Sequence, residues 1–189
     1  MSKNKGEKGN LLLELFSEEI PARMQTGSEK QLTNLFEKSL MNRDIGYGPI
    51  STFCSPRHLS VIIKNVDLKQ KNQIIEKRGP RLGSNEKAIN GFLKSNNIQE
   101  NDIVIKDTKN GKFYFYLNQI NGINTSEVLP EIINEIINNF VWPKSQRWAY
   151  SELKWARPLR NILLLFNNRL IEGKVAIDKN HSLYFSNYT

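Results

Sequence analysis

Arginine and tryptophan are the residue types in this sequence whose placement is most suggestive of chemistry. The three tryptophans stand at positions 142, 148 and 155, with Tyr150 among them, and Lys144, Arg147, Lys154, Arg157 and Arg160 outnumber Glu152. Guanidinium groups grip phosphates through paired hydrogen bonds, and exposed indoles offer faces on which bases stack. The same residues also describe a tryptophan-anchored core with a solvated basic edge. Spacing alone leaves both readings open.

Other clusters point less far. Glu14, Glu18 and Glu19 could serve as carboxylates for metal binding or proton transfer, but no His or Asp stands beside them. The reading preferred here is a favourable interaction of Glu18 and Glu19 with the positive end of a following helix. His58 and His181 are isolated from each other and from Cys54, so neither is read as a catalyst. Lys112-Phe-Tyr-Phe-Tyr116 resembles the aromatic strand of an RNA-recognition motif without its glycine spacing, and is read as core packing. Lys69, Lys71, Lys77, Arg78, Arg81, Lys87 and Lys94 face only Glu76 and Glu86, which reads as a flexible basic loop. The phosphate-cradling Gly-rich loop, His-Glu-x-x-His, Gly-x-Ser-x-Gly and Cys-x-x-Cys are all missing.

The elements that must position these residues can be read from pattern. Leu11-Leu-Leu-Glu-Leu-Phe16 reads as a buried strand. Pro21 opens a helix carrying Leu32, Leu35, Phe36 and Leu40 at helical spacing. Ile50 to Cys54 and Leu59 to Lys64 read as strands. Lys69 to Lys94 reads as loop leading into a short helix from Glu86 to Ser95, because Gly79-Pro80 and Gly83 break regular structure. Ile103-Val-Ile105 and Phe113 to Leu117 flank Asn110-Gly111, the pair that a type I′ hairpin turn favours. Pro130 to Val141 predicts an amphipathic helix with Pro130 in its first turn. Ile162 to Phe166 and Lys174 to Ile177 read as strands paired around Asn167-Asn168, and Leu183 to Phe185 as a last strand.

The expected fold is α+β, with mixed or antiparallel sheets, packed helices and a strand–helix–strand–strand opening. The expected organisation is a disordered basic tail over 1–10 and an α+β subdomain over 11–68. A basic loop, hairpin and helix follow over 69–141, then a Trp/Arg-rich segment with strands over 142–189. The 189 residues carry a formal charge of +8 and a pI near 9.5, a balance that favours polyanionic partners. No run approaches the roughly 18 apolar residues that cross a bilayer. A single cysteine, with no signal or transit peptide, predicts a reduced, cytoplasmic setting.

Several of these stretches also carry a family resemblance. Leu12-Leu-Glu-Leu-Phe-Ser-Glu-Glu-Ile-Pro-Ala22 is similar to the opening of the bacterial glycyl-tRNA synthetase beta subunit. Thr52-Phe-Cys-Ser-Pro-Arg57-His-Leu resembles its Thr-Pro-Arg-Arg-Leu segment, Glu76-Lys-Arg-Gly-Pro80 its Lys-Gly-Pro, and Lys87-Ala-Ile-Asn-Gly-Phe92 its Lys-Ala-x-x-Gly-Phe. Pro143-Lys-Ser-Gln-Arg-Trp148 resembles Pro-Lys-x-Met-Arg-Trp, and Arg157-Pro158 resembles Phe-x-Arg-Pro. Gln146, Ala156 and His58 depart from the pattern.

The resemblance implies an N-terminal fragment of that subunit, ending at Ser186-Asn-Tyr-Thr189 and lacking downstream modules such as the C-terminal anticodon-binding domain. Its implied partners are the alpha subunit, in a heterotetramer, and tRNA(Gly), with no DNA or membrane. The alpha subunit would use ATP and Mg to charge the tRNA; this chain would hold no cofactor, metal or catalytic centre. The residues expected to bind tRNA are Arg57, Arg78, Lys144, Arg147, Trp148, Arg157 and Arg160. The alternative is an interaction scaffold that docks the alpha subunit without touching tRNA.

Overall fold

The computed structural model describes residues 6–148 and 152–185. Its contacts divide the chain into two units, 1–70 with 123–189, and 71–122. The second is thus inserted into the first. Tyr150, Lys3, Lys5 and Ser186 to Thr189 lie outside the described residues.

The first unit is built on strand β1 (Lys8–Ser17), helix α1 (Ala22–Asn42), β2 (Ile50–Cys54) and β3 (His58–Asp67). After the insertion come α3 (Thr125–Asn138), β7 (Leu159–Phe166), β8 (Arg169–Leu170), β9 (Gly173–Ala176) and β10 (Ser182–Phe185). A five-stranded antiparallel sheet has the order β2-β3-β1-β7-β8, and β9 pairs with β10 separately. The fold is α+β with antiparallel sheets, as expected.

Period-two alternation explains the packing. Leu11, Leu13 and Leu15 stand in register with Ile63, Val61 and Leu59 on one side and Phe166, Leu164 and Ile162 on the other. These three rows are buried, in one apolar cluster with Leu32, Phe36 and Leu40 of α1 and Leu129, Ile132, Ile133, Ile136 and Ile137 of α3. Each buried Leu or Ile contributes about 1.5–3 kcal/mol through removal from water. The opposite face carries the row Ile62–Leu12–Leu165–Leu170, of which Ile62 and Leu170 are exposed.

The second unit is an antiparallel sheet, β4-β6-β5, with β4 (Gln73–Arg81), β5 (Ile103–Thr108) and β6 (Gly111–Ile120). Helix α2 (Glu86–Asn96) joins β4 to β5. Asn85 caps it, its side chain accepting from the Ala88 amide at 2.9 Å, and Asn97 closes it in the left-handed conformation.

Five expectations need correction. Lys8 to Asn10, expected in a disordered tail, belong to β1, because backbone pairing to Asp67 and Val66 needs no apolar side chain. Gln73 to Arg81 is a strand, not loop; its side chains are largely solvent-facing, so burial left no alternation to read. Its Gly79-Pro80 is tolerated at a register shift of an edge strand. The turn before β6 is the two-residue loop Lys109-Asn110 between paired Thr108 and Gly111, with positive φ only at Gly111 (109°), so it is not the type I′ turn expected. The left-handed pair is Asn167-Asn168 (φ 49° and 60°), but it joins β7 to the short β8, while Lys174 to Ala176 pair with β10. Finally, α3 begins five residues before Pro130, where the Thr125 hydroxyl donates to the Asp67 carbonyl at 2.6 Å. Pro130 then removes one internal hydrogen bond from the helix's second turn.

Candidate nucleic-acid interface

Two groups of the expected residues gather in the first unit, by different means. The end of β1, the β2–β3 turn and the start of β7 meet through their backbones. The Ser17 amide donates to Arg57 O (2.9 Å), the Glu18 amide to Pro158 O (3.0 Å) and the Ile20 amide to Pro56 O (2.5 Å). This junction delivers two guanidinium groups to one carboxylate. Arg160 donates to Glu18 Oε1 at 2.8 Å and Arg57 to Glu18 Oε2 at 3.4 Å. Arg57 also lies over the Phe16 ring, 5.1 Å from its centroid, and His58 stacks on that ring at 5.0 Å. Glu18 is therefore engaged with arginines, and no acidic residue stands in the first turn of α1. The carboxylate offsets one of the two positive charges.

The second group sits on the Trp-bearing stretch. Gln146 and Trp155 form an isolated antiparallel bridge, with amide-to-carbonyl distances of 2.9 and 3.2 Å. The bridge pins the loop that presents Lys144 and Arg147, both exposed. Among the described residues neither makes an ion pair. Arg157, half-buried, turns its Nη1 onto the Ala156 carbonyl at 3.0 Å. Trp148 is half-buried and packs against the apolar cluster.

The tryptophans do not form an open stacking platform. Trp155 is fully buried and Trp142 nearly so, and both stack with Phe140, at 5.0 and 4.8 Å. The apolar ring faces are covered, and the cations beside them reach solvent. Burial, which spacing could not reveal, decides between the two readings for Trp142 and Trp155.

Beside this stretch lies an open cleft of about 790 Å³, with Lys154 and Lys179 facing Glu152 and Asp178 on its walls. Two charges of each sign give it no net pull on a polyanion. Asp178 is held by backbone amides: those of Asn180 and His181 donate to its Oδ1 at 2.7 and 2.8 Å. Those bonds, led by the Asn180 amide and joined by the His181 ring, hold its carboxyl below the usual range. Among the described residues no three His, Cys, Asp or Glu side chains gather as a metal ion would require, and no helix is long and apolar enough to cross a membrane.

Arg78 belongs to the other unit. Its guanidinium lies 3.6 Å from the centroid of Phe113, while Lys106 pairs with Glu76 at 2.7 Å and lies 5.6 Å from the centroid of Phe115. Arg81 lies against Gly111, its Nε 3.1 Å from where a Cβ would stand. Arg81 stands out in the sequence only as one charge of the basic run, and Lys106 not at all. Their roles depend on register, which the sequence does not display.

Fold and site together define a basic α+β protein in which exposed Lys144 and Arg147 stand on a pinned loop and Arg78 and Arg81 on a small sheet. The chain belongs to the glycyl-tRNA synthetase beta subunit family, whose model matches residues 11–185. It is 38% identical over 161 residues to the glycine–tRNA ligase beta subunit of Rickettsia bellii (strain OSU 85-389), covering 85% of this chain and 24% of the relative. It is 34% identical over 168 residues to that of Rhodospirillum centenum, covering 88% and 24%, and 36% identical over 158 residues to that of Dinoroseobacter shibae, covering 84% and 22%. The chain spans about a quarter of the length of these curated relatives.

Proposed function

We propose that this chain supports the charging of tRNA(Gly) with glycine as the N-terminal region of a glycine–tRNA ligase beta subunit. It holds tRNA and takes part in assembly with the alpha subunit, and has no catalytic centre of its own. ATP and Mg are used by the alpha subunit, and the assembly works in the cytoplasm. The observation that carries the tRNA reading is the contrast among the cations. Arg57 and Arg160 share Glu18, whereas Lys144 and Arg147 project from a loop pinned by the Gln146–Trp155 bridge. A polyanion gains most from cations that no carboxylate has already neutralised.

The test compares two double variants by tRNA titration. Lys144→Ala with Arg147→Ala should weaken binding about tenfold or more near 100 mM salt, with the fold intact. Arg57→Ala with Arg160→Ala should act mainly on thermal stability. Unchanged affinity in the first variant would sink the assignment.

A second reading has its own support. The outer face of the five-stranded sheet exposes Ile62, Phe53 and Leu170, an apolar surface suited to docking the alpha subunit without tRNA contact. Capture of purified alpha subunit by a chain that binds no tRNA would favour it.

A further inference from the structure

We propose that one face of the β4-β6-β5 sheet is a second RNA site, binding consecutive backbone phosphates through Arg78 and Arg81. This inference rests on the tRNA reading above.

A strand's side chains alternate between faces, so residues three apart in a regular strand point to opposite sides. Arg78 and Arg81 are three apart, yet they do not. Arg78 is in register with Phe115 and Arg81 with Phe113, two positions apart on β6, with the register shift falling between the arginines. The irregularity at Gly79-Pro80 therefore brings both arginines to one face, the re-aiming of side chains that bulges produce. Along β6 their partners stand about 7 Å apart, from two residues of strand rise. Neighbouring phosphates of a nucleic-acid strand have a comparable separation.

Both guanidinium groups are held in place without being neutralised. Arg78 lies over Phe113, and Arg81 lies in the space left by the missing side chain of Gly111. Among the described residues neither has an acidic partner, whereas Arg43, Arg57 and Arg160 are each paired with glutamate. An aromatic ring orders a guanidinium while leaving its N–H donors at the rim available to an anion. Lys106 shares the face, with its charge offset by Glu76. The net excess is therefore the two arginines. Preordering lowers the entropy lost on binding, because less side-chain freedom remains to be surrendered.

RNA is favoured over an acidic protein by two forked cations held at a spacing that matches consecutive phosphates. The test titrates labelled tRNA with the 189-residue chain across a salt series. Arg78→Ala with Arg81→Ala should lower the slope of log affinity against log salt by about 1.4–1.8, and affinity at least about tenfold near 100 mM. Arg78→Lys with Arg81→Lys keeps the charge, so it should retain the slope while losing affinity through the lost forks. Phe113→Leu, which removes the ring under Arg78, should weaken binding about threefold. Circular dichroism and thermal midpoints check that each variant folds.

An unchanged slope in the Ala pair, with binding still sensitive to Lys144→Ala and Arg147→Ala, would overturn this site and leave the broader reading standing. No tRNA binding by the unsubstituted chain at about 50 mM salt would overturn both. Loss of polyglutamate binding in the Ala pair, with tRNA affinity intact, would assign the face to an acidic protein and also overturn it.

Discussion

Arginine is one residue type performing several jobs here, and only its partners tell them apart. Arg57 and Arg160 close a junction of three chain segments on Glu18; Arg157 donates to the carbonyl of its neighbour Ala156; Arg147 is free of ion pairs among the described residues. The exposed Glu18 pairs contribute modestly, since pairs in water typically yield under about 1 kcal/mol. Asp178 gives a pH-dependent counterpart. Its carboxyl is lowered in the fold, first by the Asn180 amide. The stabilisation is therefore fully present above the unfolded aspartate value of about 3.9 and is lost as pH falls through the lowered folded value. Amide exchange at Asn180 and His181, followed by NMR, should stay protected at pH 5 and accelerate in that acid range; Asp178→Ala should show fast exchange throughout. At this scale the sequence displayed the candidate cations and their neighbours in the chain. It could not display Glu18 as their acceptor, because that contact joins residues 39 and 142 positions apart.

Elements were legible wherever burial imposes a period. The core-facing positions of α1 and α3 recur at helical spacing, and β1 buries every second residue. Where side chains mostly face solvent, as in β4, no period forms and the strand is invisible. Turn chemistry was the other source of error. Asn-Gly at 110–111 and Asn-Asn at 167–168 both permit left-handed backbone, and only the pairing on either side selects the turn actually made. Gly111→Ala tests this assignment. Its φ of 109° is strained for any side chain, and the added Cβ would press on Arg81. The variant should lose about 1–2 kcal/mol in denaturant unfolding. An unchanged midpoint would mean that the turn has another conformation.

On the scale of the molecule, one unit interrupts the other. Residues 71–122 leave and re-enter the first unit at adjacent points. The Gln70 amide donates to Ile123 O at 2.9 Å, Lys69 bridges Asn124, and the Thr125 amide donates to Leu68 O at 2.8 Å. With its ends already tied, the first unit does not need the insertion to close its sheet. Replacing 71–122 by a short Gly/Ser linker should leave a cooperatively unfolding protein, because closing a short flexible loop costs little entropy. Broad, non-cooperative melting would contradict that independence. The sequence showed a change of character near residue 69, but not that α3 returns to the first unit. That return depends on α3 packing with α1 and β9, a long-range contact with no local signature. The same partition bears on function, since it places Lys144 and Arg147 in one unit and Arg78 and Arg81 in the other. The most direct test of the tRNA-holding role is the salt dependence of tRNA affinity for the unsubstituted chain. Its log–log plot should be linear, with a slope of about −3 for four cations at roughly 0.7 to 0.9 each. A slope near zero, or no binding at about 50 mM salt, would contradict it.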